Sequence, residues 1–114
     1  MSVWKWKDVA LEVDMEDIEF QKKYEVAFQH MEVSEKELQN VGNLSGFSEK
    51  YCMLFWNLFD EIFGKGIADK LFDGKMHIGK CEECYDTFIE HCSKQVREIN
   101  KNRANRHKKY KVKK

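Results

Sequence analysis

The sequence predicts a mainly α-helical domain, with three to four helices around a central aromatic-rich helix, a small N-terminal β-hairpin and a basic C-terminal extension. Three observations predict it. The 114 residues contain no proline and six glycines, so long helices can run without internal breaks and the glycines punctuate them. Apolar residues recur at spacings of three and four through most of the chain. The stretch YCMLFWNLFDEIFG, residues 51–64, is apolar almost throughout in a chain that is 35% charged. A chain of this length fits one hydrophobic core, and this stretch is its natural centre.

The first thirteen residues have period two. In VWKWK, Trp4 and Trp6 alternate with lysines, and in VALEV, Val9, Leu11 and Val13 alternate with Ala10 and Glu12. The phase slips at Lys7-Asp8, which favours a tight hairpin without the usual Asn-Gly turn over one bulged strand. Asp14 then reads as the N-cap of a first helix, with Glu16, Asp17 and Glu19 in its opening turn and Val13 placed to staple onto Ile18. Phe20, Tyr24, Ala27, Met31, Ser34, Leu38 and Val41 form its stripe until Gly42-Asn43 ends it.

Ser45 or Ser48 reads as the cap of the second helix, whose main apolar face is Tyr51, Leu54, Phe55, Leu58, Ile62 and Phe63. Cys52, Met53, Trp56 and Phe59 lie off that face, so the helix is apolar nearly all round, as a helix buried between neighbours is. A membrane span needs about 20 apolar residues, and Asn57, Asp60 and Glu61 interrupt this one. Residues 67–72 read as a short helix ending at Asp73-Gly74. The last helix carries Ile78, Cys81, Tyr85, Phe88, Cys92, Gln95 and Ile99, widened by Ile89 and Val96, and its pattern meets the basic extension without a break, so that either the helix projects beyond the body or the extension frays.

Zero net charge conceals a division of the chain into residues 1–100 and 101–114. The extension KNRANRHKKYKVKK holds eight of the twenty basic residues and no acid, so the body carries twelve bases against twenty acids. Such a segment suits nucleic acid, an acidic partner or the body itself. Arg103, Arg106, Lys108, Lys109 and Lys111 are its candidate phosphate contacts, with Tyr110 and His107 as stacking surfaces. No N-terminal signal-peptide pattern is present, so the chain is expected in the cytoplasm with its four cysteines as thiols.

No catalytic constellation is legible. His77, Cys81, Cys84, His91 and Cys92 gather metal-ligand types within sixteen residues, but the Cys-x-x-Cys lies inside a helical pattern and no second pair is suitably spaced. The expectation is therefore core and surface thiols, with no metal and no cofactor. A redox role for CEEC would need a thiol of lowered pKa, and the two intervening glutamates oppose that. Asp60-Glu61 and Glu82-Glu83 are adjacent pairs that diverge on a helix, and no phosphate loop, nucleophile elbow or His-Glu-x-x-His motif occurs. The chain reads as non-enzymatic.

The aromatic core Phe55, Phe59, Asp60, Ile62, Phe63, Gly64 and Gly66, in the pattern FxxxFDxIFGxG, and the closing basic run Asn102 to Arg106, NRANR, together resemble small tail-module proteins of Firmicutes phages and prophages. The similarity spans residues 15–108, and within it Cys84 and the His77–Cys92 cluster are peculiar to this chain rather than part of the family's pattern. It implies a tail assembly chaperone that coats the helical tape-measure protein until tube subunits displace it. An aromatic-rich helical protein in many copies suits that task through helix-in-groove contacts that are individually weak. The candidate contact surface is Trp4 and Trp6, which close the core where they are not exposed, and whichever of Met53, Trp56 and Phe59 the fold leaves exposed. Further copies of the chain, in a homo-oligomer, and nucleic acid are the other partners to weigh, and a membrane is not expected.

Overall fold

A computed structural model describes the backbone of residues 2–112 and the side chains of residues 2–109. The chain forms a hairpin, β1 (Ser2–Trp6) and β2 (Val9–Val13), followed by helices α1 (Ile18–Lys36), α2 (Leu44–Phe63), α3 (Ile67–Leu71) and α4 (Ile78–Val112). A 3-10 turn, Glu37–Asn40, follows α1 directly. The architecture is the predicted one: mainly α, with an N-terminal hairpin and helices grouped around the aromatic α2.

The hairpin turns at Lys7-Asp8, with Lys7 at φ 53°. Its register pairs Ser2 with Val13, Trp4 with Leu11 and Trp6 with Val9, and so directs one residue in two onto the helices. Trp4 and Val13 are buried, whereas Val3, Lys5, Ala10 and Glu12 face out. The sheet is anchored at its open end by Gln95 of α4, a buried polar side chain. The Gln95 amide nitrogen donates to Ser2 Oγ at 2.5 Å and to the Val13 carbonyl at 2.6 Å, while its Oε1 accepts from the Met15 amide at 2.9 Å. Every hydrogen-bonding position of the amide facing the hairpin is used, which is how a buried polar group avoids a desolvation penalty.

Two helix starts differ from expectation. Asp17, not Asp14, caps α1: its carboxylate accepts from the Glu19 amide at 3.1 Å, while Asp14 accepts from the Glu16 amide in the preceding turn. The chain needs that turn to bring α1 off the hairpin, so Ile18 is 64% exposed while Val13 is fully buried, and the expected staple does not form. Helix α2 begins at Leu44 behind Asn43, one turn earlier than a cap at Ser48 would place it. The first helix is also shorter than its stripe suggested, since it tightens into the 3-10 turn before Val41.

Helix α2 buries Cys52, Leu54, Phe55, Leu58, Phe59 and Ile62, on more than one face. It can do so because α1, α3, α4 and the hairpin's Trp4 pack around it. The FxxxFDxIFGxG pattern is explained as architecture. Phe55 and Phe59 fill the core, the Asp60 carboxylate accepts from the Ala68 amide at 2.9 Å to tie α3 down, and Gly64 and Gly66 take φ of 115° and 98° in the turn between α2 and α3.

Candidate functional site

The residues proposed as a contact surface do not share a location. Trp4 is 3% exposed; its ring stacks on Phe59 at 5.6 Å and lies 5.1 Å from Phe88, and its indole N–H donates to Thr87 Oγ1 at 3.2 Å. Phe59 is 0% exposed. Both are core residues and cannot meet a partner, because the hairpin closes over α2 and brings them face to face. Trp6 is half-buried with its N–H on the Leu71 carbonyl at 3.2 Å and Lys7 Nζ 5.9 Å from its ring. Met53 and Trp56 are half-buried too, Trp56 lying 5.1 Å from the Phe72 ring. Only Trp6, Met53 and Trp56 of the five retain accessible surface.

The cysteine–histidine segment is likewise divided. Cys52, Cys81, Cys84 and Cys92 are all buried free thiols. His77 is exposed at the start of α4, where its Nδ1 accepts from the Lys80 amide at 3.3 Å and its carbonyl from the Cys81 amide. Among the described residues no three His, Cys, Asp or Glu side chains converge as a metal would need. Burial, reinforced by Cys52 alongside, pushes the Cys81 thiol up to about 12, and burial does the same for Cys84 and Cys92. The thiolate is the reactive form. Native protein at about pH 8 is therefore expected to resist alkylation at these three sites and to react fully in denaturant, which mass spectrometry after a timed iodoacetamide pulse will show.

His91 serves the hairpin instead. Its Nε2 lies 2.7 Å from Ser2 Oγ, and because Gln95 donates to that oxygen, the Ser2 hydroxyl is left to donate to a neutral imidazole. Burial, then the Lys94 charge, lowers the His91 pKa below 6.5. The folded state thus takes up this proton less readily than the unfolded chain. Stability is full above about pH 6.5 and falls as the pH drops through the lower native value. Melting temperatures between pH 7.5 and 5 are expected to decline more for the native chain than for His91→Gln.

What sequence inspection passed over is on the outside. Ile18, Val26 and Val33 of α1 are 64%, 45% and 60% exposed. At spacings of eight and seven they form one stripe on the helix face opposite the core. Leu44, in the first turn of α2, is 84% exposed. Their signal in the sequence was simply that they lie off the α1 core stripe while remaining large and aliphatic. Between α1 and α2 a groove of about 440 Å³ is lined in part by His30 and Glu61, whose side chains meet at 2.5 Å.

The basic extension continues α4. Residues 100–109 are exposed on every side, including Arg103, Arg106, Lys108 and Lys109, and the molecule measures 66 × 31 × 22 Å. The side chain of Lys111 lies outside the described residues. Among the described residues no helix is long and apolar enough to cross a membrane.

A family model covers residues 7–114 of this chain, the hairpin's second strand and all four helices. The chain belongs to DUF6673, a family of unknown function. No curated protein and no solved structure matches it. For this DUF6673 chain the features that point outward are thus the α1 stripe, the grooves flanking α2 and the projecting cationic arm of α4.

Proposed function

We propose that this chain is a non-enzymatic phage tail assembly protein, a chaperone that binds the tape-measure protein. The observation that carries this reading is the α1 stripe of Ile18, Val26 and Val33, which is left outside a core that closes without it. Burying branched aliphatic side chains stabilises at about 25 cal/mol per Å², so a stripe that the fold does not use favours a helical partner with its own apolar stripe. The sequence resemblance supplies the kind of partner. A tape-measure protein is a long helix with apolar surface, and many copies of a small domain with a narrow stripe hold it by multivalency while each contact stays weak enough to be displaced. Co-expression with the cognate tape-measure protein tests the reading. The chain is expected to raise the soluble fraction of the tape measure and to co-elute with it; no gain and no complex would refute it.

A second reading, a nucleic-acid-binding accessory protein, is favoured by the arm, whose cations surround an exposed helix. It predicts duplex or single-strand binding that weakens steeply with salt and disappears when residues 101–114 are removed.

A further inference from the structure

One groove and one arm are left unexplained by either reading taken alone. Glu35 of α1, Tyr51 and Phe55 of α2, and Glu82, Tyr85 and Asp86 of α4 line a groove of about 440 Å³. The rings of Tyr51 and Tyr85 each lie 5.2 Å from the Phe55 ring, and the Tyr51 hydroxyl donates to Glu82 Oε2 at 2.7 Å. The floor is aromatic, the rim carries three carboxylates, and no lining residue is basic. Its field is felt by Tyr51, whose hydroxyl is pushed up to about 12 by the bond to Glu82, then by burial and by the Glu82, Glu35 and Asp86 charges. Carboxylates above aromatic faces suit lysine or arginine side chains, which ion-pair at the rim and rest on the rings below.

The chain carries such side chains in excess at one place. Residues 101–114 hold eight bases and no acid, against twenty acids and twelve bases in residues 1–100. Lys101, Arg103, Lys108 and Lys109 are exposed. Groove and arm, however, belong to the same helix. About 26 Å of α4 separates Asp86 from Arg103 at about 1.5 Å per residue, and the helix runs unbroken from Ile78 to Val112. The arm therefore cannot fold back into its own groove, and the match of charge is satisfied between molecules.

We propose that the arm of one copy docks in the Glu35–Glu82–Asp86 groove of a second copy, so that the chain associates with itself head to tail. Groove and arm are different surfaces, so each added copy presents a new groove or a new arm, and the assembly extends as a filament or closes as a ring. The rim charges are exposed, so each contact is weak and sensitive to salt. The proposal is independent of the tape-measure reading, because it concerns the chain alone.

Sedimentation of the full chain tests it. At about 50 mM salt the weight-average mass is expected at twice the monomer or more, falling to the monomer at about 0.5 M. Two full-length variants, each checked for helicity by circular dichroism, locate the contact. One carries Glu82→Lys and Asp86→Lys; the other carries Lys101→Glu, Arg103→Glu, Lys108→Glu and Lys109→Glu. Each alone is expected to stay monomeric at low salt, since one lacks the acidic groove and the other has an arm of no net charge, and an equimolar mixture to pair, because the unaltered arm of the first then meets the unaltered groove of the second. Glu82→Gln with Asp86→Asn, a milder change, is expected to weaken association at least tenfold. Asp8→Lys with Glu12→Lys, in the turn and on the outer face of the hairpin, makes the same change of net charge away from the groove and is expected to associate as the native chain does. A monomeric native chain at low salt overturns the proposal, and so does equal loss in the hairpin variant. A chain that stays monomeric alone yet binds duplex DNA through the arm overturns it in favour of nucleic acid.

Discussion

Replacing Phe59 with alanine is expected to destabilise the domain by about 3–5 kcal/mol. The side chain is fully buried, with Trp4, Phe72 and Phe88 at ring distances of 5.6, 5.8 and 5.4 Å. It is the point where the hairpin, α2, the end of α3 and α4 meet, so the cavity left by truncation has walls from four elements and cannot collapse by moving one of them. Small domains are stable by about 5–15 kcal/mol in total, so the loss is a large share. Urea denaturation will measure it. Trp56→Ala removes a half-buried ring that lies near Phe72, and is expected to cost clearly less. If Trp56 proved the costlier of the two, the placing of Phe59 inside the core and Trp56 at its edge would be wrong.

The second large effect is expected at Gln95. Leucine there keeps the bulk but deletes the donors to Ser2 Oγ and the Val13 carbonyl and the acceptor for the Met15 amide. Unmet buried polar groups cost about 1–3 kcal/mol each, and partial access of water to the hairpin base reduces the sum, so a loss of about 2–4 kcal/mol is expected. Gln95→Glu should not restore it, since a carboxylate cannot donate to Val13 O. Hydrogen exchange distinguishes this from general loosening. The β1 amides are expected to exchange faster by more than those of α2, because the Gln95 amide clamps the base of the hairpin and the residue that leaves it, and bonds to no group of α2.

The elements were legible because they rest on local signals. Period two in VWKWK and VALEV gave the hairpin, and spacings of three and four gave the helices, whereas the basic end, which has no apolar stripe, left open whether α4 continues or frays there. The helix starts were less legible. Asp14 and Asp17 are equally good caps in sequence, and the choice of Asp17 depends on how far the chain must travel from the hairpin to reach α2. Which of the candidate contact residues stay accessible was less legible for a related reason. Trp4 and Phe59 meet each other across elements 55 residues apart in sequence, and no local pattern reports that. The Glu35–Glu82–Asp86 groove was hidden likewise, since its carboxylates come from α1 and α4 and converge only after folding. The one signal available beforehand was the separation of charge between body and arm.

The surface assignment can be challenged directly through the α1 stripe. Ile18→Asp, Val26→Asp and Val33→Asp together change exposed positions on one helix face and leave the buried core untouched. The decisive measurement is the amount of tape-measure protein that co-elutes with this triple variant and with the native chain, at equal expression and equal helicity. The account predicts co-elution with the native chain and at least a tenfold loss with the variant; undiminished co-elution would contradict it.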